Sequence, residues 1–289
     1  MKSRLLRLLA IFSLVLSLGA CGMKLAYHFL DTIMYWELGK YVSLEPEQKK
    51  IAKSAFDEFH EWHRQHELPR YVKYLQHLKK RLNAGPISAK ELHAESDKIQ
   101  NLLDDSMTHL LPDMAAVART FSDEQVEQFR HRLEKDQDDY RDEYLNVSRE
   151  KMLKLRIRDL NDYIKPAFGS YSDEQEKWIE EWAANMKDYE SLMLLQKQDW
   201  EKQFSEAMKY RQDPAELETR LKGLVLYRTD NWEQNLQDVL DYDQELSWKL
   251  IARLLNSRSD KQKAATGEQI DGYIKLFNDM HGLPKAQPQ

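Results

Sequence analysis

Helical periodicity runs through this chain almost without interruption. Apolar residues return every three or four positions, beginning with Leu25, Phe29, Ile33 and Trp36, which is the spacing of one helix face. No stretch alternates apolar and polar residues as a half-buried strand does. Only nine of the 289 residues are glycine, while helix-forming Leu, Glu, Gln, Lys, Arg and Ala are abundant. The sequence therefore predicts an all-α fold, an elongated multi-helix bundle with long antiparallel helices.

The aromatic residues of the first predicted helix allow two interpretations. Tyr27, Tyr35 and Tyr41 suit a membrane interface, and they suit a buried helix equally well. Asp31 and Glu37, on the same helix, would lie awkwardly against anionic lipid. We therefore expect the apolar face of this helix to pack in the core.

Three similar phrases indicate helix starts. The sequence reads "SDEQ" at Ser122 and at Ser172, and "SDKQ" at Ser259. A serine at the N-cap accepts a backbone N–H of the first turn, and a glutamine three residues later bonds back to the serine N–H. The acidic residues between them suit the positive end of the helix dipole. We expect three helix caps, made by Ser122, Gln125, Ser172, Gln175, Ser259 and Gln262.

Prolines predict helix boundaries. Pro69 is expected to end one helix, with a bend near Leu68 and a new helix from about Tyr71, because proline disfavours helical geometry in the residue before it. Pro112 is expected to divide another helix from a short piece that ends near residue 121. Asp213 and the proline after it read as an N-cap and first position, and the helical pattern that follows runs to about residue 255.

Three histidines lie just before Pro69, in "HEWHRQHELPRY". His63 and Glu67 have the i and i+4 spacing of zinc ligands, and His60 could reach the same point as a third ligand. On a helix, however, His60, His63 and His66 spread across one side and do not converge. We favour a structural corner without metal, in which Glu67 forms ion pairs with Arg64 and Arg70, and in which Trp62 and Tyr71 pack inside. A metal site at His60, His63 and Glu67 is the alternative.

The amino terminus reads as a secretory signal. Lys2, Arg4 and Arg7 precede an apolar run over residues 8–18, which is too short for a bilayer span of about 20 residues. The next residues, "LGAC", resemble the bacterial lipobox. That resemblance implies a signal peptide at residues 1–20, cleavage before Cys21, a diacylglyceryl thioether on its sulfur, and an acylated amino terminus.

The residues around Cys21 refine this prediction. Cys21 is the only cysteine, so it has no partner for a disulfide within the chain. Gly22 and Met23 stand where enteric lipoproteins carry the aspartate of inner-membrane retention, which favours an outer-membrane anchor facing the periplasm over the inner membrane. The alternative is an ordinary signal peptide with an incidental cysteine. Residues 21–289 are predicted to form one helical domain, with a possible subdivision near residue 121.

Signatures of familiar enzymes are absent from the sequence. There is no G-x-S-x-G, no phosphate-binding glycine loop and no second cysteine for a thiol site. The formal net charge is −6, and no basic run stands out, which opposes binding to nucleic acid. We predict no cofactor and no enzymatic activity.

Four further stretches carry a family resemblance: "LAYHFLDTIMYWELGKYVSL", "WHRQHELPRY", "DYRDEYL" and "DKQKAATGEQIDGYIKLF". They resemble landmarks of an uncharacterised proteobacterial lipoprotein family defined by a domain of unknown function, over essentially the whole mature chain. The resemblance implies a helical lipoprotein of the outer membrane or periplasm, and it implies no activity. His60 and His66 do not belong to its main motif, whose positions here are Trp62, His63, Arg64, Glu67, Leu68, Pro69, Arg70 and Tyr71.

Three functions follow as hypotheses. The leading one is a non-enzymatic binding or scaffolding module, attached to the membrane through acyl chains on Cys21 and working with an envelope protein. The second is an ATP-independent holdase, because "FSDEQ" and "YSDEQ" are similar to the L-T-x-x-Q phrase of small periplasmic stress chaperones. The third is a metal-dependent enzyme at His60–Glu67.

Overall fold

A computed structural model describes residues 20–226 and 232–282. Every regular element in these two ranges is helical, which confirms the predicted all-α bundle. None of the described helices is both long and apolar enough to cross a membrane. The helices are α1 Ala20–His28, α2 Leu30–Gly39, α3 Pro46–Trp62, a π-helical turn His63–Glu67, α4 Leu68–Asn83, α5 Ala89–Ala118, α6 Asp123–Tyr144, α7 Arg149–Phe168, α8 Asp173–Asn185, α9 Glu190–Met208, α10 Pro214–Val225, α11 Gln234–Asn256 and α12 Asp260–His281.

The largest core cluster joins parts of the chain that are far apart in sequence. It brings the segment before α3 together with α5, α9 and α10, and Phe121, at the suggested subdivision, lies buried inside it. The last helix, α12, packs against α4, α7 and α1. Its apolar residues form a separate cluster with α1 and α4. The buried members of this cluster are Met23, Leu68, Leu276, Phe277 and Met280.

Two of the predicted helix boundaries are wrong. Helix α5 continues through Pro112, because Leu111 and Ala115 on either side of it are buried in the core, and this packing outweighs the lost backbone donor. The pattern that starts at Asp213 is interrupted, since α10 ends at Val225 and α11 begins at Gln234.

The expected core packing of the first helix is confirmed for Tyr27 and Tyr35 and is wrong for the side that carries Leu25, Phe29 and Trp36. Leu25, Phe29 and Trp36 are 61%, 45% and 65% exposed. The body is instead contacted by the other side of α1 and α2, through residues such as Met23 and Tyr35. Periodicity identifies faces of a helix, but both faces of these two helices are apolar, so it could not say which one turns inward.

All three S-D-x-Q phrases begin helices with both bonds of a capping box. At Ser122, the side-chain oxygen accepts from the Gln125 N–H at 3.2 Å, and the Ser122 N–H donates to Gln125 Oε1 at 2.9 Å. The boxes at Ser172 and Ser259 have the same two bonds. These bonds satisfy backbone donors that a helix start leaves unpaired.

The cap glutamines also pair with one another across the fold. Gln125 meets Gln48, the glutamine of a fourth capping box at Glu45, through reciprocal amide bonds of 2.7 and 2.8 Å. Gln175 and Gln262 form an equivalent pair with bonds of 3.4 and 2.8 Å. All four side chains are buried. We call each pair, with its two capping boxes, a glutamine clasp.

Each glutamine of a clasp also donates to the residue two positions before the cap of the partner helix. For Gln125 this acceptor is Ser43 O, so its amide makes bonds to Ser43, to Gln48 and to its own cap Ser122. A buried amide is tolerated when its donors and acceptor are used in this way. The other three acceptors are Thr120 O for Gln48, Ser257 Oγ for Gln175 and Ser170 O for Gln262.

We predict that Ser122→Ala lowers the free energy of unfolding by about 0.5–2 kcal/mol, because it leaves a first-turn N–H without its acceptor. Denaturant unfolding followed by circular dichroism measures the change. The control is Ser54→Ala, an exposed serine within α3, which is expected to stay within about 0.5 kcal/mol of wild type. Equal stability of the two variants would show that the cap contributes nothing.

Candidate functional site: the corner around His63

Helices α3 and α4 are joined by a π-helical turn over His63–Glu67. The Leu68 N–H donates to His63 O, five residues back, so the turn holds one residue more than an α-turn. A second helix does begin here, as predicted, but at Leu68 instead of about Tyr71 and without a break in the helical chain. Pro69 lies in the first turn of α4, where its missing N–H costs little, and the chain stays helical. π-turns of this kind often lie at functional sites.

A chain of hydrogen bonds passes through the corner. His63 Nδ1 lies 2.9 Å from Tyr27 Oη of α1, and His63 Nε2 lies 3.1 Å from Tyr71 Oη of α4. Tyr71 Oη is 3.3 Å from Ser106 Oγ of α5, which donates to Leu102 O. The network thus connects α1, the π-turn, α4 and α5.

The last bond of the chain sets the direction of the others. Because Ser106 donates its hydroxyl proton to a backbone carbonyl, Tyr71 must donate to Ser106. The Tyr71 oxygen then accepts from His63 Nε2–H, and His63 Nδ1 accepts from Tyr27. His63 is therefore the neutral tautomer with the proton on Nε2, and both of its ring nitrogens are used.

The surroundings keep these groups uncharged at neutral pH. Although part of the His63 residue surface remains exposed, enclosure of the ring lowers its pKa to about 3, and neighbouring His60 adds to the effect. Burial raises the pKa of Tyr71 to about 12, and it also raises the pKa of Tyr27. A general acid or base works best with a pKa near the working pH. None of these three groups is poised in that way.

Ion pairs hold the two sides of the turn. Glu67, only 1% exposed, accepts from Arg70 at 2.7 Å, and Arg70 also pairs with Asp105 of α5 at 2.6 Å. Arg64 pairs with Glu61 at 2.7 Å.

The carboxyl end of the last helix closes on the same turn. Arg64 donates to His281 O at 3.2 Å, and His281 Nδ1–H donates to Arg64 O at 2.9 Å. The corner is therefore hydrogen-bonded to α12 as well as to α1.

The other two histidines of this stretch have polar partners different from those of His63. His66 donates to Trp62 O at 3.0 Å and stacks on the Trp62 ring, whereas His60 Nδ1 lies 3.6 Å from the Asp31 carboxylate. The alternative site would need His60, His63 and a Glu67 that is paired with Arg70. In the part of the chain that the structure describes, no three His, Cys, Asp or Glu residues are grouped to hold a metal ion.

Trp62 does not take the predicted place beside Tyr71. It is only half-buried, and its ring stacks on His109 of α5 at 3.7 Å between centroids. The inside of the corner is filled instead by Tyr27, which meets His60 edge-on at 4.9 Å. Tyr27 belongs to α1, and sequence spacing alone could not bring α1 to this place.

The backbone of Cys21 lies in α1, two residues before the buried Met23. Residues 1–19 of the predicted signal peptide, which spans residues 1–20, fall outside the described residues, so cleavage and lipidation stay predictions. Because Tyr27 and Met23 both contact the body, no linker separates Cys21 from the folded chain.

A second buried polar cluster was missed by the sequence analysis. Arg156 of α7, only 9% exposed, donates to the carbonyl oxygens of Ala183, Met186 and Lys187 at the end of α8. It also pairs with the carboxylate of buried Glu190 at 3.2 Å. A charged residue in the apolar stripe of Met152, Leu155 and Leu160 was the available signal.

The π-turn and helices α3, α4 and α5 lie inside a recognised family domain. The model of a family of unknown function, DUF6279, matches residues 40–237. The chain belongs to that family. The expected membership of a family of unknown function is thereby confirmed, and the DUF6279 match includes the π-turn, α4 and α5 but not Tyr27 or His281. No curated protein and no solved structure matches the chain.

Proposed function

We propose that this DUF6279 protein is a lipid-anchored, non-enzymatic binding or scaffolding module of the outer membrane, facing the periplasm. Acyl chains on Cys21 hold it, and an envelope protein is its partner. The observation that carries the proposal is the attachment of α1 to the body directly after Cys21. Met23 is buried against α4 and α12, and Tyr27 is hydrogen-bonded to His63.

This attachment distinguishes a scaffold from a body on a flexible tether. Two or more acyl chains give stable membrane attachment. With α1 fixed in the corner, such an anchor keeps the helical body close to the bilayer, with no flexible linker between them. A module that presents a binding surface to other envelope proteins benefits from that constraint, because less freedom of movement is lost on binding.

The protonation states of the corner support a non-enzymatic role. His63 is neutral with both ring nitrogens bonded, and Tyr27 and Tyr71 have pKa values raised by burial. The corner connects α1, α4, α5 and α12 by hydrogen bonds, and this supports a structural role.

We predict that the intact mass of the wild-type protein shows loss of residues 1–20 and addition of acyl chains. The variant Cys21→Ala should lack the acyl mass and leave the membrane fraction, because its anchor cannot form. Membrane flotation and mass spectrometry of both proteins make the measurement. A wild-type protein that is cleaved, free of acyl chains and soluble would refute the proposed function.

A further inference from the structure

An apolar stripe runs along the outside of α1 and α2. Leu25, Phe29, Thr32, Trp36 and Lys40 are exposed and follow one another in steps of four, three, four and four residues. Such steps keep residues on one side of a helix. Thr32 and Trp36 therefore share a side of α2, while Leu25 lies on α1, Phe29 between the two helices and Lys40 directly after α2. We call these five residues the outer stripe. Its three large apolar members are among only eight large hydrophobic residues that are exposed in the described part of the chain.

The opposite side of the same helices is already used. Met23 and Tyr27 face the α4–α12 cluster and the corner, and Tyr35 and Leu38 pack on the main core. The two helices therefore form a layer that is apolar on both faces. One face is covered by the body of the protein. The other face is an exposed apolar surface, and such surfaces often mark sites of contact with a membrane or another protein.

Of the two acidic residues on this layer, one turns inward and the other pairs with the lysine of the stripe. Asp31 turns inward, with its carboxylate 3.6 Å from His60 and its side chain only 14% exposed. Glu37 pairs with Lys40, whose amine also lies 4.2 Å above the Trp36 ring. Tryptophan and lysine together are typical of membrane–water interfaces, where the ring lies at headgroup level and the amine reaches the phosphates.

We propose that the outer stripe lies in the headgroup and acyl boundary of the phospholipid bilayer that holds Cys21. The inference rests on the proposed lipid anchor. At 1.5 Å per residue, Leu25 is about 6 Å and Trp36 at most about 22 Å along the helices from Cys21. A stripe that begins one turn from an acylated residue, on helices fixed to the body, is held at the membrane surface. Apolar faces of interfacial helices enter that boundary to a depth of about 5–10 Å.

The proposal gives the protein a fixed orientation. The layer of α1 and α2 lies between bilayer and body, with the stripe toward lipid and the His63 corner on the other side. The acyl chains supply attachment, and the outer stripe prevents rotation about the anchor.

The test uses one engineered cysteine in the full-length, lipidated protein, since acylation consumes the only native thiol. Thr32→Cys on the stripe, and Lys154→Cys on α7 as control (74% exposed side chain), each receive an environment-sensitive fluorophore. The proteins are placed in phosphatidylethanolamine and phosphatidylglycerol vesicles. We expect nitroxide on the lipid acyl chains to quench the Thr32 probe, and aqueous iodide to quench it several-fold less than the Lys154 probe.

A companion variant adds Leu25→Ser, Phe29→Ser and Trp36→Ser to Thr32→Cys. It should still float with vesicles through its acyl chains, and its probe should return to the iodide accessibility of the Lys154 probe. These are exposed positions, so a folded circular dichroism spectrum is expected.

Two outcomes overturn the inference while the anchor stands. In one, the protein floats with vesicles but iodide quenches the Thr32 and Lys154 probes equally, so the stripe faces water. In the other, the Thr32 probe is shielded from both quenchers, so a second copy or another protein covers the stripe. Failure of the wild-type protein to float refutes the lipid anchor itself, and the inference with it.

Discussion

Arg156→Met is expected to lower the free energy of unfolding by about 3–5 kcal/mol. The change removes the donor to three carbonyl oxygens at the end of α8 and leaves the Glu190 carboxylate buried without its cation. Breaking one side of a buried ion pair is costly because the remaining charge stays out of water. Denaturant unfolding of the wild-type and variant proteins measures the difference.

Arg158→Met is the matched control for this prediction. Arg158 lies on the same helix and pairs with Glu143 and Asp159, but nearly half of its side chain is exposed. Solvent screens such pairs, so we expect a loss of about 0–1 kcal/mol. Similar losses of unfolding free energy in the two variants would mean that the Arg156 ion pair contributes no more to stability than an exposed one.

Acid is expected to weaken the His63 corner. The unfolded histidine has a pKa of about 6.5, whereas the folded value is lowered to about 3. The unfolded chain therefore binds a proton first, and stability falls as the pH drops below about 6.5. We predict that between pH 7 and pH 5 the wild-type protein loses about 1–2 kcal/mol more stability than His63→Gln, which cannot take up that proton.

Comparison of the two proteins isolates this effect. Burial raises the pKa of Asp113 and of Asp243, which acts in the opposite sense, but both residues are present in both proteins. His93→Gln, a change at an exposed histidine, should follow the wild-type pH dependence. Parallel stability curves for the wild-type protein and His63→Gln would show that the folded His63 titrates like a free histidine.

Local rules predicted much of the fold. Serine and glutamine three residues apart form a capping box through bonds within one turn, so Ser122, Ser172 and Ser259 could be recognised from the sequence. The absence of alternating strand patterns likewise predicted an all-α chain. These signals depend on neighbours in sequence and need no knowledge of the tertiary structure.

Features that depend on distant partners could not be predicted in this way. The sequence predicts a helix end at Pro69, because it does not show that a π-turn can continue the helical chain there. The partners of His63 come from α1 and α4, and Tyr27 lies 36 residues away. The sequence shows that both faces of α1 are apolar, but it does not show which face is covered. That depends on the position of α12 and of the corner.

The glutamine clasps have a consequence for the order in which the chain folds. Gln48 and Gln125 close a loop of 77 residues, and Gln175 and Gln262 close a separate loop of 87 residues that begins after the first is complete. The loops follow one another and do not interleave. A chain that is synthesised amino terminus first can thus form the Gln48–Gln125 clasp before Gln175 and Gln262 have been added. Helices α9, α10 and α11 of the second loop then pack against α5 and α6, and α12 adds contacts to α1, α4 and α7.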